Sequence, residues 1–174
     1  MPMRTRLPGA TVTLVYFHGF TSSAESKKAA YFGERLRGHG LRLRCPDFNE
    51  PEFASLTMTR MLDRLSRELD RLPDGSIALI GSSLGGTLAI LAAGRFADHV
   101  DRLALLAPAV MFAKPGHHLL PPERIEEWRR KGALPFFHSC STRSGCSSLD
   151  DDHQMMASLP RIWDDMEPFL ELVD

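Results

Sequence analysis

Ile77 to Gly86 reads IALIGSSLGG. Four apolar residues run without interruption into a glycine-serine turn, and a helix rich in small residues, Leu84 to Phe96, opens directly behind it. An apolar run of this kind suits a strand covered on both faces. Gly81-Ser82-Ser83-Leu84-Gly85 fits the pattern G-x-S-x-G, and its place between a strand and a helix gives the pattern its meaning. A serine on so sharp a turn takes up strained backbone angles and is lifted clear of the sheet. Side chains at Gly81 or Gly85 would collide with the neighbouring backbone. The first N–H groups of the helix, and its positive dipole end, then face whatever lies above Ser83.

Outward from this turn, strands and helices alternate. Thr11 to Phe17, TVTLVYF, predicts a buried central strand. Ser22-Ser23-Ala24-Glu25 reads as a capping box for a helix carrying Ala29, Phe32 and Leu36 and closed by Gly38 and Gly40. Leu41 to Cys45 predicts a second strand stopped by Pro46, and Met58, Met61, Leu62, Leu65, Leu69 and Leu72 share one face of a second helix closed by Pro73-Asp74-Gly75. Leu103 to Leu106 predicts a fourth strand. Each parallel pair requires a crossover, so the expected fold is α/β, a doubly wound and mostly parallel sheet. In such a sheet the first and third strands are commonly neighbours, which brings the loop after Phe17 beside Ser83. Residues 111–131, with Pro121-Pro122, Ile125 and Trp128, read as a cap-like insertion. Residues 138–148, HSCSTRSGCSS, hold five serines and no large aliphatic residue, and read as an irregular patch. Leu159, Ile162, Trp163, Met166, Phe169, Leu170 and Val173 mark a terminal helix with Ser158 as its N-cap and Pro168 bending its last turn.

With 174 residues, 43% of them hydrophobic, the expectation is a single domain over 1–174 whose core needs no staples. Twenty-one basic against 22 acidic residues supply no bulk field for nucleic acid or an anionic membrane, so a partner must be recognised locally. No apolar run reaches the roughly 18 residues of a membrane span, and residues 1–8 lack the apolar stretch of a signal peptide. A cytoplasmic address is the expectation, which the odd count of three cysteines favours.

A serine hydroxyl is a weak nucleophile and needs a base, normally a histidine held by a carboxylate. Among seven histidines, His153 stands out, because it lies in a loop before the terminal helix and follows the serine in the chain order that goes with G-x-S-x-G. The other reading of His153 is an exposed loop histidine. His18 reads as a residue that shapes its loop, His99 as a solvated helix end, and His117-His118 as part of the cap. The amides of Phe20 and Leu84 are the candidate oxyanion-hole donors. No acid is assigned: Asp150, Asp151 and Asp152 precede His153 too closely to fold back onto its ring, Asp98 and Asp101 fall at the wrong end of the sheet, and Asp47 follows an edge strand. His138, Cys140, Cys146 and His153 have a spacing outside the usual zinc patterns, and no metal or cofactor is expected.

FHGF at Phe17–Phe20, CPDF at Cys45–Phe48, IGSSLGG at Ile80–Gly86 and DDDHQ at Asp150–Gln154 resemble the α/β-hydrolase superfamily, and within it small bacterial esterases of the YqiA/YcfP type. The resemblance implies Ser83 as nucleophile, His153 as base, an oxyanion hole from Phe20 and Leu84, carboxylic esters or acyl thioesters as substrates, and no cofactor. It also exposes a departure. Only 70 residues separate Ser83 from His153, too few for the cap plus the two strands that this resemblance implies, and the HGxxD-type loop that carries the acid has no counterpart. Two functions follow as expectations: a serine hydrolase impaired by a missing acid, or a catalytically defective relic that at most binds acyl compounds or a partner. Oligomeric state is not legible.

Overall fold

A computed structural model describes residues 12–71, 76–110, 122–131 and 155–172. Its elements in chain order are β1 (Val12–Phe17), α1 (Lys27–Gly38), β2 (Leu43–Arg44), a 3-10 turn (Phe53–Ser55), α2 (Met58–Leu69), β3 (Ser76–Ser82), α3 (Leu84–Arg95), β4 (Val100–Leu106), α4 (Pro122–Lys131) and α5 (Leu159–Phe169). The strands form one parallel sheet in the order β2-β1-β3-β4, with Phe17 opposite Gly81. The expected α/β sheet and the pairing of the first and third strands are both present.

Alternation along β1 assigns its side chains to two cores, since successive residues of a strand point to opposite faces. Leu14 and Tyr16, with Ala78 and Ile80 of β3, pack on Ala29, Phe32 and Leu36 of α1 and on Leu159, Trp163 and Met166 of α5. Val15 and Phe17, with Ile77 and Leu79, pack on Met61 and Leu65 of α2 and on Leu88, Ala89 and Ala92 of α3. Helices therefore cover both faces, which explains why β1 and β3 read as continuous apolar runs. From β1 the chain crosses by α1 to β2 on one side, and from β3 it crosses by α3 to β4 on the other. The two crossovers diverge beyond the carboxyl ends of β1 and β3. Open α/β sheets bind ligands at such a switch point.

Three local expectations need correction. The N-cap of α1 is Ser26, whose hydroxyl accepts from the Ala29 N–H, and not the box at Ser22–Glu25; there the Ser23 hydroxyl accepts from the Glu25 N–H in a turn. Ser26 competes better because its extended backbone aims its oxygen at the first helical turn. Ser158 precedes α5 but makes no capping bond, since its own backbone is already helical (φ −90°, ψ −8°). The second strand is shorter than expected, two residues on the sheet's edge. Of the cap-like segment, α4 is described. Residues 72–75, 111–121 and the irregular patch at 138–148 lie outside the described residues.

Candidate active site

Ser83 joins β3 to α3 with φ 54° and ψ −119°. Non-glycine residues avoid this region at a cost of order 1–3 kcal/mol, and it persists only where the surroundings fix it. Here they do. The Ser83 N–H donates to the Leu106 carbonyl at the end of β4, and the Ser83 carbonyl accepts from the N–H groups of Gly86, Thr87 and Ala109. The Thr87 hydroxyl donates to the Ala109 carbonyl at 2.7 Å, which binds α3 to the segment after β4.

Both expected glycines are required by contact. A Cβ on Gly81 would come within 2.5 Å of the Gly85 carbonyl oxygen, and one on Gly85 within 2.1 Å of the Phe17 carbonyl oxygen. Gly86, a third such position, packs on Pro108, where a Cβ would meet the ring at 2.8 Å.

The loop after β1 lies against the serine. A Cβ on Gly19 would stand 3.3 Å from the Ser83 Cβ and 3.9 Å from its Oγ. Phe20 follows directly, its ring half exposed and 5.1 Å from that of Phe53 in the 3-10 turn. Leu84 is the first residue of α3, so its N–H precedes any partner within the helix and faces out of the helix end. The two candidate donors thus flank the turn that carries Ser83.

His18 is buried beneath this loop. Its Nδ1 donates to the Gly19 carbonyl at 3.0 Å and its Nε2 accepts from the Phe48 N–H at 3.2 Å, an arrangement that assigns the neutral tautomer. The Asp47 carboxylate stands 3.5 Å from Nε2, outside good hydrogen-bond range. The ring holds the β1 loop to the chain after β2, as expected of a loop-shaping histidine. Asp101 is bonded to Ser76 at the start of β3, the end of the sheet opposite Ser83. His99 is exposed beyond the end of α3. His153, Asp150, Asp151, Asp152, His117, His118, His138, Cys140 and Cys146 lie outside the described residues. Among the described residues no group of three or more His, Cys, Asp or Glu side chains could hold a metal, and no helix is long and apolar enough to cross a membrane.

The sequence reading missed a polar cluster on the other side of the elbow. The Lys28 ammonium donates to the Ser82 hydroxyl at 3.0 Å, with both residues buried. The buried Tyr16 hydroxyl engages Ser26 and Ser82, and desolvation pushes it up to about 12. Desolvation also lowers the Lys28 ammonium from its ordinary value and pushes the nearby Cys45 thiol up to about 11. The signal was available: Lys28 shares the apolar face of α1 with Ala29, Phe32 and Leu36.

A strained serine between strand and helix, at the switch point of a parallel sheet, defines the α/β-hydrolase fold. The chain belongs to the family described as Uncharacterised protein family (UPF0227), which matches residues 13–154. No curated protein matches it. Among solved structures it is similar to mouse alpha/beta hydrolase domain-containing protein 10, with 28% identity, a TM-score of 0.60, and coverage of 75% of this chain and 55% of that one. It is also similar to Est1E from Butyrivibrio proteoclasticus with ferulic acid bound (24% identity, TM-score 0.53, 60% of this chain and 46% of that one). The pyrethroid hydrolase PytH is a third (24% identity, TM-score 0.51, 62% and 47%). The chain spans about half the length of these structures.

Proposed function

We propose that the protein is a serine hydrolase that cleaves carboxylic esters or acyl thioesters through an acyl-enzyme. One observation carries the reading: Ser83 is held at φ 54° at the switch point of the sheet, with Gly19 packed against it. Nothing in packing alone calls for a serine in that conformation, where glycine would avoid the strain.

The Ser83 hydroxyl oxygen attacks the acyl carbonyl carbon while its proton passes to neutral His153, whose assignment rests on the resemblance. The Phe20 and Leu84 N–H groups stabilise the resulting oxyanion, each such donor being worth about 2.7–4 kcal/mol in the transition state. The histidine returns the proton to the departing alkoxide or thiolate. It then takes a proton from water, which attacks the acyl-enzyme and releases the acid with Ser83 restored. Without an assigned carboxylate behind the histidine, turnover is weak; in the serine-protease template that loss costs about four powers of ten. The ester and thioester substrates are inferred from the resemblance, their small size is supported by the hydrolases to which the chain is similar, and a cytoplasmic setting belongs to the same reading.

The test is hydrolysis of short-chain p-nitrophenyl esters and of an acyl thioester by the protein and by Ser83→Ala. Turnover that disappears in the variant supports the proposal. Turnover equal in both, or none in either, overturns it and leaves a domain that at most binds acyl compounds.

A further inference from the structure

We propose that Lys28 is a positioning residue for Ser83, acting through Ser82. This rests on the reading of Ser83 as nucleophile.

Lys28 sits where a lysine is poorly accommodated. It is 8% exposed, it lies in the first turn of α1 against the positive end of the helix dipole, and among the described residues no carboxylate is bonded to it. A methionine of similar length would fill the same space without desolvating a charge, so packing does not explain the residue. Its geometry supplies a different explanation. The ammonium spans from α1, which begins where the β1 loop ends, to the Ser82 hydroxyl, the last side chain of β3 before the elbow. Ser82 is 4% exposed and also meets Tyr16 of β1, which in turn engages Ser26, the cap of α1. These contacts therefore tie β1 and the first turn of α1, which bracket the loop of Gly19 and Phe20, to the residue just before Ser83. The lowered ammonium pKa agrees with a charge kept in a desolvated place.

The experiment compares the wild type with Lys28→Met, Ser82→Ala and the double variant. It measures steady-state ester hydrolysis, the rate at which a fluorophosphonate labels Ser83, and the urea unfolding midpoint. Lys28→Met is expected to unfold at or above the wild-type midpoint. Its kcat and labelling rate fall by roughly 10- to 100-fold at nearly constant KM, since a misplacement of about 1 Å costs that much. Ser82→Ala reproduces the fall, and the double variant is no slower than either single one, because both act through one bond. Unchanged kcat in both single variants, or effects that multiply in the double variant, would overturn the proposal. A wild type inert to both ester and probe overturns the serine-hydrolase reading itself, and this proposal with it.

Discussion

The carbonyl oxygen of Phe17 lies where a side chain at Gly85 would have to be, 2.1 Å from an ideal Cβ. The end of β1 and the start of α3 are packed backbone to backbone, and this contact sets how close the Gly19 loop comes to Ser83. Gly85→Ala therefore cannot be absorbed by a rotamer change. It should destabilise the fold by about 1–3 kcal/mol or more, read as a lower urea midpoint. Gly33, inside α1, has nothing within 4 Å of its Cβ position. Gly33→Ala is expected to stabilise by about 0.4–1 kcal/mol, which makes it the control for glycine replacement in general.

His18 accepts a buried backbone N–H, and an alanine there leaves the Phe48 amide without its acceptor. His18→Ala should cost about 1–3 kcal/mol in denaturant unfolding. Because the ring shapes the loop and is not assigned as the base, the variant should keep, at a lower kcat, the acid-side fall in rate expected of the proposed base His153. A pH–rate profile that goes flat on the acid side would instead make His18 the base.

Alkaline stability follows from Tyr16 and Cys45. Both hold their protons to higher pH in the folded chain, about 12 against 10.0 and about 11 against 9.0. Above pH 9 the unfolded chain therefore binds fewer protons than the folded one, and stability falls as pH rises. Lys28, shifted the other way, opposes this in part. The urea midpoint should drop between about pH 9 and 12. In Tyr16→Phe the portion above pH 10, on the order of 2–3 kcal/mol at its full extent, should be absent.

The half-exposed Phe20 ring, paired with Phe53, directly follows Gly19, which packs against Ser83. Phe20→Ala keeps the amide and removes only the ring. It should raise KM for aromatic acyl esters several-fold while kcat for acetate esters changes less than about twofold, as expected when uniform binding is lost. A fall in kcat of the same size for both esters would place the ring in the chemistry of the oxyanion loop instead.

Much of this was legible in the chain because backbone demands are local. IALIGSSLGG carries its own strand, its own turn and the two glycines that the contacts require, so the elbow could be read without neighbours. The pairing of β1 with β3 followed from alternation of elements. What escaped depended on partners far apart in sequence. Ser22 and Ser26 are equally good caps by composition, and only the direction of the chain leaving the β1 loop selects Ser26. Lys28 reads as one of two adjacent helix lysines, and its burial follows from Ser82, 54 residues away. The need for Gly86 is not local, because the proline it meets, Pro108, lies beyond the next strand. No carboxylate could be assigned, since spacing alone does not say which acid reaches the histidine.

The central claim is that Ser83 is a nucleophile, and titration with a fluorophosphonate tests it without requiring a known substrate. The account predicts covalent labelling that approaches one equivalent per chain, mapped to the peptide containing Ser83, and none in a folded Ser83→Ala variant. Labelling elsewhere, equal labelling of the variant, or a folded wild-type chain that stays unlabelled would contradict it.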